Sequence, residues 1–131
     1  MKKSVMMIVC IVAFYWTCFS GFAIAEYVTA TIDGNGTWTD EIMVPKGERL
    51  NISIGDYNAT TDMTVTLQRK LPGDSDWGRD VETWDVTGSS ADVENITAYP
   101  EPEYCWYRIG CDAAADYTSG SADVRLGRDN Y

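Results

Sequence analysis

From Tyr27 onward the apolar residues of this chain recur at every second position, in short runs broken by turn residues. Val28, Ala30 and Ile32 alternate with Tyr27, Thr29 and Thr31; Leu50, Ile52 and Ile54 alternate with Asn51 and Ser53; Met63, Val65 and Leu67 alternate with Thr64, Thr66 and Gln68. Successive side chains on a strand point to opposite faces, so each run has one apolar and one polar side. The breaks are Asp33-Gly34-Asn35-Gly36, Pro45-Lys46-Gly47, Pro72-Gly73-Asp74 and Gly88-Ser89-Ser90, residues that either tolerate positive φ or fix the bend. Candidate strands cover residues 27–32, 37–44, 50–54, 63–68, 77–86, 91–98, 104–111 and 122–126. No window shows a helical period. About eight short strands, with turn signals every eight to twelve residues or so, specify an all-β fold: an antiparallel β-sandwich of jelly-roll or immunoglobulin-like form. Leu50, Ile52, Ile54, Val65, Leu67, Tyr107, Ile109, Val124 and Leu126 are its expected core.

The N-terminus has a different character. Met1-Lys2-Lys3 is followed by an apolar run from Val5 and then by Ala23-Ile24-Ala25. A basic start, an apolar middle and small residues at the last and third-last positions are the layout of a secretory signal peptide, here residues 1–25. The run from Val5 to Ala25 is also long enough for a membrane span of about 20 residues, so an uncleaved anchor is the alternative. Removing 25 residues from 131 leaves 106, one domain (residues 26–131) of ordinary size. The expectation is export: periplasmic, cell-surface or extracellular.

Charge and composition exclude several functions. The chain has a net charge of −10, and loss of Lys2 and Lys3 with the leader takes it to −12. A surface this acidic repels phosphates, so nucleic acid is excluded as a partner. There is no histidine, which removes the Ser-His-Asp and Cys-His nucleophile systems and histidine metal sites. No glycine-rich phosphate loop is present, and nothing marks two of the carboxylates as a glycosidase pair. The expectation is a protein that is not an enzyme and needs no cofactor. Asp33-Gly34-Asn35-Gly36-Thr37 has oxygens at alternate positions, as a calcium loop does. But Trp38 and Val44 stand where such a loop needs glycine and glutamate, so a tight hairpin turn is expected there, and no metal. Asp74, Asp76 and Asp80 form a second, weaker cation candidate.

Cys105-Trp106-Tyr107-Arg108-Ile109-Gly110-Cys111 places both cysteines on one strand face with Tyr107 and Ile109. Trp106, Arg108 and Gly110 take the other face. Six steps along a strand span about 20 Å, while a disulfide needs Cα atoms about 4.4–6.8 Å apart. Two buried thiols are the reading. A disulfide requires the chain to fold back on itself, and export keeps that alternative open. Trp38, Trp77, Trp84 and Trp106 are spread over different strands. They are candidate ligand-binding residues, because exposed aromatics on a sandwich face stack on sugars; core packing is the competing use.

Val65 to Trp84, Tyr107-Arg108-Ile109-Gly110 and Asp116 to Arg128 together resemble small β-sandwich virion proteins, decoration or tail-associated, of tailed bacteriophages and prophages. In both, a strand ends in Leu-Gln-Arg, a turn presents a tryptophan, and Tyr-Thr-Ser-Gly leads into the last strand. The resemblance covers about half of the mature chain and carries over no catalytic residue. It implies a non-catalytic structural or adhesive surface role, with self-association or another surface or virion protein as partner. The leader departs from that pattern. The alternative is a secreted carbohydrate- or ligand-binding module using surface Trp and Tyr.

Overall fold

The computed structural model describes residues 27–55, 58–97 and 104–129. The signal-peptide segment, with Cys10 and Cys18, lies outside the described residues. Nine strands are present among them: β1 Tyr27–Ile32, β2 Ile42–Val44, β3 Arg49–Gly55, β4 Asp62–Lys70, β5 Arg79–Thr87, β6 Val93–Thr97, β7 Cys105–Gly110, β8 Tyr117–Ser119 and β9 Ala122–Asp129. All pairings are antiparallel. β4 pairs with β5, β3 with β6, β2 with β7 and β1 with β9, a ribbon of nested strand pairs. The ribbon is rolled into two sheets, ordered β1-β9-β3-β6 and β2-β7-β4-β5. This is the jelly-roll form of the β-sandwich rather than the immunoglobulin-like one.

β8 does not add a layer. β7 runs beside Thr66–Lys70 of β4, and β8 pairs with Asp62 and Met63 further along the same edge. Between them the chain loops out through the 3-10 turn Ala114–Asp116. β7 and β8 therefore fill one lane of the roll, which is why about eight strands are legible where nine short segments form.

The two inner faces meet in one core. All nine expected core residues are buried, joined by Ile32, Ile42, Val44, Met63, Val86, Ala122 and both cysteines. Fully burying a Leu, Ile or Val side chain contributes about 1.5–3 kcal/mol, so this shared face holds the sheets together. On β4 even the outward-facing polar side chains of Thr66 and Gln68 are buried. Something covers the outer face of its sheet.

Two local expectations are corrected. Asp33-Gly34-Asn35-Gly36 does turn the chain, but it is not a hairpin. β1 pairs β9 in one sheet, whereas the segment after the turn runs along β7 in the other, with the Gly36 amide donating to the Cys111 carbonyl at 2.7 Å. Ile32 and Ile42 must both reach the core from opposite sheets, and that requires a crossover. The expected strand over residues 37–44 is also broken. It holds a bridge at Trp38 to Gly110 and then β2. Between them the Ile109 amide donates to the Thr39 hydroxyl at 3.1 Å instead of to a backbone carbonyl, and Asp40 and Glu41 stand out in solvent. Pro72-Gly73-Asp74 is a true hairpin turn. Gly73 adopts φ +90°, the Asp74 amide donates to the Leu71 carbonyl, and the Asp74 carboxylate accepts from the Leu71 amide.

Cys105 and Cys111 are buried thiols on the inner side of β7 and its extension. The Cys105 thiol donates to the Lys70 carbonyl at 3.5 Å. Burial raises the pKa of Cys111, with Asp116 and Asp112 adding to the effect. Because the thiolate is the reactive form, an alkylating reagent near neutral pH should modify neither residue until denaturant is added, and both afterwards. Peptide mass mapping reads this directly. A Cys105–Cys111 disulfide in the non-reduced digest would contradict the strand geometry.

Candidate functional site

The outer face of the five-stranded sheet is built from three rows of opposed residues. Trp38, Gly110, Thr66 and Thr83 form one row. Arg108, Gln68 and Asp80 form the next. Met43, Trp106 and Lys70 form the third. Directly opposed residues in antiparallel strands share a face, with Cβ atoms about 4.5–5.5 Å apart, so alternation alone brings these side chains together.

Arg108 is the centre of the face. Its guanidinium carbon lies 4.1 Å from the Trp38 ring centroid and 4.7 Å from that of Trp77. Trp77 arrives from the loop between β4 and β5, and the Lys70 ammonium lies 5.9 Å from its ring. Arg108 Nε and Nη2 both donate to Gln68 Oε1, at 3.1 and 2.7 Å. Gln68 Nε2 in turn donates to Asp80 Oδ1 at 2.9 Å. The glutamine thus links cation to carboxylate across two strands, and its amide orientation is the one that satisfies both neighbours. This layer explains why Gln68 is only 3% exposed. Desolvation lowers the pKa of Arg108, opposed by Asp112 and then Glu41; an arginine nevertheless remains charged.

Gly110 makes the arrangement possible. A Cβ at that position would lie 2.2 Å from the Thr37 carbonyl oxygen and 2.7 Å from the Trp38 ring. The contact with backbone cannot relax cheaply. The Trp38 indole therefore rests on a bare stretch of β7 and reaches the neighbouring arginine.

The four candidate tryptophans are divided by the fold. Trp38, Trp77 and Trp106 lie on this outer face. Trp84 stands opposite the buried Val65 and packs against the core, so its ring belongs to the interior side. Tyr104, 39% exposed, meets Trp106 edge-to-face with ring centroids 5.0 Å apart. Sequence reasoning does not single out Arg108, Gln68, Lys70 and Tyr104, and it offers Asp80 only as a cation ligand. The alternation of Trp106, Arg108 and Gly110 in sequence was the signal for Arg108; the partners on β4 required the register. Asp74, Asp76 and Asp80 do not gather. Asp74 accepts from Leu71, Asp76 from Ser75 and Asp80 from Gln68. Among the described residues no cluster of three or more His, Cys, Asp or Glu side chains is placed to hold a metal ion.

Comparison with protein-family models, curated proteins and solved structures gives no match to this chain.

A cation–π contact contributes about 0.5–2 kcal/mol depending on desolvation, and a hydrogen bond from a charged donor about 1.5–3 kcal/mol. Arg108→Ala should therefore lower the unfolding free energy by about 2–4 kcal/mol in urea titration. Arg108→Lys should recover less than half of that, because an ammonium lacks the planar fork. An alanine variant within about 0.5 kcal/mol of wild type would show that the layer is incidental.

Proposed function

We propose that this protein is a non-catalytic adhesive or structural module, exported from the cytoplasm, that attaches to a second copy of itself or to another surface protein. The docking surface is the outer face of its five-stranded sheet. One observation carries the reading: Trp38, Trp77, Trp106, Tyr104, Arg108 and Lys70 share that face. Trp, Tyr and Arg are the residues that dominate binding energy at protein interfaces, where they sit over well-packed, desolvated centres. The buried Gln68 and Thr66 beneath supply such a centre. Arg108 and Lys70 place two cations on this face of a chain of net charge −10, and they suit acidic groups on a partner such as another copy of this protein. The resemblance to phage and prophage virion proteins supports the same role, a decorating subunit on an assembled surface.

The sugar-binding alternative, with Trp38, Trp77, Trp84 and Trp106 as stacking platforms, has less support on this face. Trp38, Trp77 and Trp106 are half-buried in the layer around Arg108, and Trp84 packs inward.

The test is assembly. Sedimentation of the purified chain over a wide range of concentration should show species above the monomer mass. The double variant Tyr104→Ala/Trp106→Ala should sediment as a monomer while keeping its thermal midpoint within a few degrees of wild type. Identical sedimentation of wild type and variant, together with identical cross-linking patterns in the exported fraction, would contradict the proposal. N-terminal sequencing of that fraction should begin at Glu26.

A further inference from the structure

The opposite side of the sandwich has a different chemistry. The outer face of the four-stranded sheet is an open concavity of about 410 Å3, lined by Thr29, Thr31, Ser53, Gly55, Asp123 and Arg125 with the strand backbone between them. The register orders these residues in rows. Thr31 faces Asp123, which faces Gly55; Thr29 faces Arg125, which faces Ser53; Tyr27 faces Gly127, which faces Asn51. Small side chains on β1 and β3 flank Asp123 and Arg125 of β9.

We propose that this concavity is a binding site for a neutral oligosaccharide. A sugar offers hydroxyl groups that both donate and accept, and flat C–H faces that favour an aromatic ring. The lining answers each need. The Thr31 hydroxyl donates to Asp123 Oδ1 at 2.6 Å, which fixes the carboxylate as an acceptor there. Arg125 supplies a planar set of donors, and the hydroxyls of Thr29 and Ser53 do either. Tyr27, at 57% the most exposed of the large hydrophobic residues described, stands at the end of the rows. The Arg125 guanidinium carbon lies 4.8 Å from its ring centroid, so cation and ring are held together at the rim. Neighbouring strands lie about 4.8 Å apart, close to one pyranose repeat, so successive sugar rings would meet successive strands.

Charge selects the ligand class. Asp123 and Arg125 balance within the lining. Two acidic groups stand on the β3 side: Glu94 opposite Ser53, and the Asp92 carboxylate beside Gly55, 3.5 Å from where a Cβ would project. An acidic polysaccharide is repelled by these groups and by the chain as a whole. A neutral one is not. The site lies on the opposite face from the aromatic layer and does not depend on the adhesive reading.

The test is calorimetric titration of the purified chain with cello-, malto-, xylo- and manno-oligosaccharides, with oligogalacturonate as the acidic control. At least one neutral ligand should bind and the acidic one should not. Tyr27→Ala and Arg125→Ala should each weaken that binding by about tenfold or more, while Trp106→Ala leaves it unchanged. If a variant fails to fold, amide chemical-shift changes in the wild-type chain decide the matter: they should centre on Thr29, Ser53 and Asp123. Absence of binding across the neutral panel, shifts centred on Lys70 and Arg108, or loss of binding in Trp106→Ala would each overturn the proposal. The first outcome would leave the assembly result untouched, so the two readings fail separately.

Discussion

Position 110 admits no side chain, and the organised face of this protein rests on that fact. β7 must be approached by the segment that crosses over from β1, and the approach is closest where Thr37 and Trp38 meet Gly110. In an antiparallel pair, side chains are nearest where the opposed residues do not exchange hydrogen bonds. Here the flanking bonds are Thr39 amide to Ile109 carbonyl and Cys111 amide to Thr37 carbonyl, so Trp38 and Gly110 form such a pair. The indole fills the space the glycine leaves. From there it meets Arg108, Arg108 meets Gln68, and Gln68 meets Asp80. A backbone constraint thus becomes a cation held between two rings and a hydrogen-bonded path across three strands.

The jelly-roll winding explains why the molecule has two unlike outer faces. Each nested pair of strands belongs wholly to one sheet, and successive pairs alternate between the sheets. The polar positions of β1, β3 and β9 are therefore collected on one side, where threonine, serine and glycine flank Asp123 and Arg125. The outward positions of β4 and β7 are collected on the other, where Trp106, Arg108, Gln68 and Lys70 stand beside the small Thr66 and Gly110. The inner face needs only apolar residues of about the right size, so the outer positions are available for distinct surfaces.

The fold was legible to the degree that it depends on period-two alternation. Leu50, Ile52, Ile54, Met63, Val65 and Leu67 announce their strands and their inward face, and all are buried. The even spacing that places Cys105 and Cys111 on one face with Tyr107 and Ile109 favours two buried thiols over a folded-back disulfide, and both are buried thiols in the fold. Connections were less legible. Asp33-Gly34-Asn35-Gly36 has the composition of a hairpin turn, yet whether a turn returns to the same sheet or crosses to the other is decided by which strands pair, a long-range property that local chemistry does not encode. The candidate site was half visible for the same reason. Alternation set Trp106, Arg108 and Gly110 on one face, but Gln68, Lys70 and Asp80 join them only through the β4–β7 and β4–β5 register. Trp84 could be assigned inward only once its partner was known to be Val65.

The close passage of Thr37 and Trp38 requires a glycine at position 110, and the unfolding free energy of Gly110→Ala measures that requirement. At a site that accepts a side chain, this change stabilises by about 0.4–1 kcal/mol, since alanine restricts the unfolded chain. At a site pressed against backbone it destabilises, by about 1–3 kcal/mol or more. A loss in that second range is expected, accompanied by a change in tryptophan fluorescence in the folded state as the Trp38 ring leaves Arg108. Unchanged or increased stability with an unaltered spectrum would contradict it.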